Sequence, residues 1–123
     1  LIISRDFAAR LTGHNRIEDM LEDLSILPRS ATIITAGSMG CWYVTNDCPV
    51  QHIPAFPVHV VDTTGCGDVF HGTYAAAIAR GEDIHRAVLI ATASAGIKTT
   101  QPGGRAGIPG LEYAEEFLKM NGY

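Results

Sequence analysis

Asp62-Thr63-Thr64-Gly65-Cys66-Gly67-Asp68 stands between a β-branched run, Val58 to Val61, and an Ala-rich apolar stretch from Asp68 to Arg80. The first pattern predicts a strand, and the second a helix that closes at Gly81. The heptapeptide is therefore expected to carry the chain from a strand end into a helix N-terminus. Gly65 and Gly67 permit unusual backbone angles and close approach of a ligand. The N–H groups of Gly65, Cys66 and Gly67 are expected to stand free at the helix start. The positive end of the helix dipole favours an anion there, and a phosphate is the natural guest. A carboxylate beside that phosphate is a repulsive neighbour unless its task is to take a proton, which makes Asp68 a candidate general base. Asp62, at the expected strand end, is placed to hold a cation on the other side of the loop. Gly-x-Gly-Asp alone also describes an ordinary glycine-rich turn. Neither a Walker A motif nor G-x-G-x-x-G spacing is present.

Upstream, Leu1 to Ile3 reads as a short buried strand, and Arg5 to Leu11 as a helix capped by Ser4 and stopped at Gly13. Ile17, Met20, Leu21 and Leu24 recur at helical spacing opposite Glu18, Asp19, Glu22 and Asp23, an amphipathic helix ending before Pro28. Ala31 to Thr35 reads as a central strand, Ala36 to Gly40 as a turn, Cys41 to Thr45 as the returning strand of a hairpin, and Val50 to Ile53 as a further short strand. Downstream, Asp83 is expected to cap a helix running to about Thr99. Its small residues suggest burial on two sides. Gln101 to Pro109 is a Gly/Pro loop, and Leu111 to Lys119 a last amphipathic helix. Strands followed by helices packed on them predict an α/β layered architecture.

The length of 123 residues suits one domain, and 46% hydrophobic against 18% charged residues predicts a packed core rather than disorder. A net charge of −4 without a Lys/Arg cluster argues against nucleic-acid and anionic-membrane partners. No apolar run approaches the roughly 20 residues of a membrane span. Three cysteines without a C-x-x-C pair fit a reducing, cytoplasmic setting better than a disulfide scaffold or zinc site. His14, His52, His59 and His85 show no metal spacing, and His71 falls one turn after Asp68. The opening Leu1-Ile2-Ile3-Ser4, without Met, reads as a cut at the start of a buried strand, so the chain is expected to be a piece of a longer protein.

The stretch Asp62 to Gly72 (DTTGCGDVFHG) resembles the second signature of the PfkB/ribokinase family of carbohydrate kinases, where D-T-x-G-A-G-D is typical. Thr35-Ala36-Gly37-Ser38-x-Gly40 is similar to the family's upstream T-x-G-x-x-G segment, and Pro102 to Pro109 (PGGRAGIP) to its late loop. The resemblance extends over nearly the whole chain. It implies a ribokinase-like α/β fold, a Rossmann-like layered sheet with flanking helices, of which residues 1–123 form the C-terminal part.

On this resemblance, Asp68 is the general base that deprotonates a sugar hydroxyl, and Gly65, Cys66 and Gly67 form the anion hole. Cys66 stands where Ala is commonest, and its thiol reads as a packing group. Thr35, Gly37 and Gly40 match nucleotide-lining positions. Thr92, Ala95 and Gly96 match the helix wall of the adenine pocket, although small residues also simply permit close packing. Asp62 and the carbonyl of Thr64 match part of a monovalent-cation site, completed by carbonyls of the Thr99 to Gly107 loop and suited to K⁺. Arg105 is within the same loop. The expected ligands are ATP with Mg²⁺, and K⁺ where that site is used. The partner is a small-molecule sugar, and the full-length protein is expected to pair as a homodimer through a lid that this chain lacks. One departure stands out: Ser4-Arg5-Asp6-Phe7 replaces the family's N-x-x-E. A similar S-x-D pattern occurs in ketohexokinase-like branches, and a sulfofructose-kinase-like branch is equally open. Asp6 is a candidate substitute for the missing Glu, or simply an acidic residue in a first helical turn. The reading is thus a sugar kinase whose isolated C-terminal piece is inactive. The alternatives are a non-catalytic nucleotide- or phosphate-binding remnant, and a nucleoside or vitamin-precursor kinase of the same family.

Overall fold

The computed structural model describes all residues, 1–123. The chain divides into two compact units, Leu1–Pro54 and Ala55–Tyr123.

The first unit is a four-stranded mixed sheet with two helices. β1 (Ile2–Ser4) leads directly into α1 (Arg5–Thr12) and α2 (Ile17–Leu24) before β2 (Ala31–Thr35), which runs parallel to β1. β3 (Cys41–Thr45) and β4 (Gln51–Ile53) follow as antiparallel neighbours, giving the order β1-β2-β3-β4. Ser4 caps α1 by accepting the Phe7 N–H, and Gly13 ends it at φ 77°, where a glycine avoids the cost of the left-handed conformation. The register aligns Ile3 with Ile34, Ile34 with Trp42 and Trp42 with His52. Ile34 packs with Ala8, Ile17, Met20 and Leu21 of the two helices, and Ile3, Trp42 and Val44 close around them. The alternate residues Ile33, Cys41, Tyr43 and Ile53 are buried as well. A run such as Ala-Thr-Ile-Ile, buried at every position, is what a strand covered on both faces requires.

The second unit is helical: α3 (Cys66–Ala79), α4 (Ile84–Lys98) and α5 (Leu111–Met120). α4 is the centre, packing on both α3 and α5. Every residue from Ala87 to Ser94 is buried, so the helix is enclosed around its full circumference through this stretch, more than the two sides its small residues suggest. Asp83 caps it by accepting the Arg86 N–H. Phe56 packs edge-on against Phe117 of α5, with ring centroids 5.4 Å apart.

Two expectations are corrected here. Val58 to Val61 forms no strand. Val60 and Val61 are exposed, and the N–H groups of Val61 and Asp62 both donate to the Thr99 carbonyl at the end of α4. An extended β-branched run becomes a strand only when it finds a sheet edge, and this one finds a helix end. Asp62 therefore closes an irregular segment rather than a strand. In addition, α3 begins at Cys66, two residues ahead of the expected start at Asp68.

Candidate active site

Gly65 is the N-cap of α3, with φ 77° and ψ 4°. A side chain here would meet both the strain of the left-handed region and the Gly104 carbonyl oxygen, 3.3 Å from the position of a Cβ. The glycine thus lets two loops close on each other. The next residues enter the helix as Cys66, Gly67 and Asp68, and the first intrahelical bond runs from the Val69 N–H to the Gly65 carbonyl. N–H groups of a first turn have no partner within their own helix. One of the three expected free donors is nevertheless engaged: the Cys66 N–H donates to the Thr63 carbonyl at 3.1 Å, closing the turn that precedes the helix. The donors left for an anion at this helix start are therefore those of Gly65 and Gly67, joined by the Asp68 N–H of the same first turn. The space beside Gly67 is open, with no atom within 4 Å of a Cβ position.

Asp68 is exposed, and with Gly65, Gly72 and Thr73 of the same segment it lines an open groove of about 580 Å³. Gly104 and Arg105 of the Gly/Pro loop line the same groove. One turn on, the His71 ring Nδ1–H donates to the Gly67 carbonyl at 2.7 Å, so this histidine is turned back along its own helix.

Asp62 is an organiser of backbone. Its Oδ1 accepts the Thr64 N–H at 2.8 Å, and its Oδ2 accepts the Gly103 N–H at 2.7 Å. These bonds, Thr64 first and Gly103 after, together with the positive charge of Lys98, lower its carboxyl pKa to about 2. Lys98 is the residue that sequence reasoning missed. It is fully buried, and its ammonium donates to the Asp62 carbonyl at 2.9 Å. Its only sequence signal was a lysine in the last turn of a helix, which ordinarily means a solvated partner for the dipole.

The remaining positions fall as follows. Thr92, Ala95 and Gly96 share one face of α4. Thr92 is buried with its hydroxyl bonded to the Val88 carbonyl, whereas Ala95 and Gly96 are half-buried and Gly96 adjoins open space. In the first unit, Thr35 ends β2 and Gly37 opens a single 3-10 turn, Gly37–Met39, followed by Gly40. Both glycines have positive φ, 57° and 87°. This turn has a support the sequence did not disclose: His52 stacks on Trp42 at 3.9 Å, and its Nε2 lies 2.8 Å from the Met39 carbonyl. No cluster of three His, Cys, Asp or Glu side chains is placed to hold a metal ion. Ser4, where the family motif differs, is used as the cap of α1, and Asp6 is exposed in its first turn.

A mixed sheet flanked by helices, with a glycine-built helix start offering N–H donors beside a carboxylate, defines an α/β protein of the ribokinase fold. The chain belongs to the pfkB family of carbohydrate kinases, whose profile it matches over residues 1–110. Ribokinase of Bacillus subtilis is 38% identical over 97 residues, which are 79% of this chain and 32% of that protein. A putative ribokinase from Agrobacterium tumefaciens superposes with a TM-score of 0.90 at 39% identity, over 97% of this chain and 40% of the other. A putative ribokinase II from E. coli, solved with ATP and Mg²⁺, gives a TM-score of 0.87 at 28% identity, over 97% and 38%. The chain thus spans about a third of the length of the curated relatives it matches.

Proposed function

We propose that this chain is the C-terminal, phosphoryl-transferring part of an ATP-dependent sugar kinase. The observation that carries the reading is the turn at Gly65–Asp68, which sets helix-start N–H donors and an exposed carboxylate on one groove. In the proposed reaction, Asp68 takes the proton of a sugar hydroxyl as that oxygen bonds to the γ-phosphorus. The bond from that phosphorus to the ADP oxygen breaks, and ADP leaves. Gly65 shapes the anion hole and Gly67 supplies an N–H to the transferring phosphoryl group, while Cys66 holds the turn through Thr63. Donors fixed in advance at developing charge are commonly the largest catalytic contribution, and losing one costs on the order of 10²-fold. Ala95 and Gly96, with Thr92 behind them, are assigned to the adenine side because their helix face is small and adjoins open space. In the first unit, Thr35, Gly37 and Gly40 are assigned to the nucleotide on the family motif alone. Mg²⁺ would enter with the phosphates of ATP and neutralise part of their charge, since such an ion is ordinarily held by phosphates, waters and one or two carboxylates rather than by a protein cage. Cys41, Cys48 and Cys66 form no disulfide, and a reducing, cytoplasmic setting is the simplest one for them; no helix is long and apolar enough to cross a membrane.

The test is Asp68→Asn in the full-length protein. Turnover of ATP with a panel of sugars is expected to fall by about 10²-fold or more, the scale of general-base catalysis, with ATP binding retained. Near-normal turnover would remove Asp68 from this role. A second reading, a nucleotide-binding remnant without catalysis, is favoured by one observation: Ser4 is committed as a helix cap where the family motif begins. It is the correct one if the unaltered full-length protein binds ATP and phosphorylates no sugar, nucleoside or vitamin precursor.

A further inference from the structure

We infer that Lys98 is a built-in monovalent cation for the Asp62–Asp68 turn, and that the protein does not recruit potassium there. The inference rests on the kinase reading of that turn, but its evidence is separate. Lys98 closes α4 with no exposed surface, and a lysine is almost never fully buried without a partner that repays its lost hydration. Its ammonium donates to the Asp62 carbonyl at 2.9 Å, and no carboxylate lies within ion-pair distance of it. The residue it holds, Asp62, carries the one carboxylate among the groups that a monovalent cation would be expected to use.

Several oxygens around this ammonium are already engaged. The Asp62 carboxylate accepts the N–H groups of Thr64 and Gly103, one on each oxygen. The Thr99 carbonyl accepts two amides, Val61 at 2.8 Å and Asp62 at 3.0 Å. The Lys98 carbonyl receives the Gln101 N–H and is so closely covered by Gly107 that a Cβ there would stand 2.4 Å away. The Arg105 carbonyl accepts the Ile108 N–H. A potassium ion is held where several carbonyls turn to one point and replace its hydration shell. Here the Asp62 carboxylate and the Thr99 and Arg105 carbonyls turn to N–H donors, and a further cation would meet the fixed charge of Lys98. One tethered ammonium meets the same need: it neutralises Asp62 and fixes its carbonyl, while the Asp62 carboxylate pins the catalytic turn at Thr64 and the glycine loop at Gly103. Lys98 is in this sense a positioning residue.

The test compares cations at matched ionic strength in the full-length protein: potassium, sodium and tetramethylammonium, read by melting temperature and by turnover. The unaltered protein is expected to show the same melting temperature and turnover in all three. Lys98→Ala empties the ammonium position, and its melting temperature is expected to drop in tetramethylammonium and to recover by several degrees in potassium. If Lys98→Ala does not fold without potassium, the rescue is read as folding itself. Lys98→Arg keeps the charge and is expected to stay indifferent to the cation. Potassium-selective stabilisation of the unaltered protein overturns the proposal, whatever the variants do. A Lys98→Ala variant that folds and remains indifferent to potassium overturns it too. The melting temperature needs no turnover, so failure of the kinase assignment and failure of this inference are distinguishable.

Discussion

The Asp62 carboxylate joins two loops that the sequence separates by 41 residues, through one N–H from Thr64 and one from Gly103. This gives the site a pH dependence whose sign is fixed. The bonds are made to the ionised form, and they hold the pKa near 2, below the ordinary 3.8. The stabilisation is therefore complete above about 3.8 and is lost as the pH falls toward 2. Asp62→Asn removes the charge at every pH. The melting temperature of the unaltered protein is expected to exceed that of the variant by a constant margin near neutrality. The margin should shrink through the window between those two values, and a margin that does not change with pH would mean that Asp62 is not held as a carboxylate. Gly65 was readable in the motif because its role is local: a left-handed residue at a helix cap costs other residues on the order of 1 kcal/mol or more. Gly107 was not. Its need for glycine comes from the Lys98 carbonyl across the loop, which no neighbour-by-neighbour reading reveals.

At the scale of elements, caps decide the boundaries. α4 is enclosed over most of its length, so its start must be satisfied by its own sequence, and Asp83 supplies the acceptor for the Arg86 N–H at 2.8 Å. Asp83→Ala is expected to destabilise the protein by about 1 kcal/mol, within the 0.5–2 kcal/mol range of such caps, measured by urea unfolding. Asp83→Asn keeps an acceptor and is expected to lose only a fraction of that. Ser4, Gly13 and Asp83 were legible because a cap bonds within three or four residues of itself. The start of α3 was displaced by two residues because Cys66 and Gly67 are weak helix formers, and the turn that holds them comes from Gly65 and the Thr63 carbonyl. Val58 to Val61 failed as a strand for the opposite reason. Its composition is right, but the partner of its last N–H group is the Thr99 carbonyl, 38 residues on.

At the scale of the whole chain, the turn at Asp62–Asp68 was legible and its support was not. The motif Asp62–Asp68 is contiguous, so residue types and spacing carried it. Lys98 is 36 residues from Asp62 and presents itself as an ordinary helix-end lysine, which only folding brings beneath the turn. The groove is likewise a product of folding, since Gly65 and Asp68 line it together with Gly104 and Arg105. All of its lining belongs to the unit Ala55–Tyr123, so the phosphate cradle is expected to form within these 123 residues even though the aligned part covers only 32% of the Bacillus subtilis ribokinase. Calorimetric titration of the chain with Mg·ATP is accordingly expected to show saturable binding. Gly67→Val separates cradle from scaffold. The space beside Gly67 is empty, and valine is a somewhat better helix residue than glycine, so the variant should fold with little change in stability. Its side chain would fill the space at the helix start that a phosphate must enter. Binding is expected to weaken about tenfold or more, the worth of one hydrogen bond to a charged group. Equal affinity in the two proteins would move the phosphates away from this helix start. A folded chain that binds no ATP would mean that the cradle closes only with more of the protein around it.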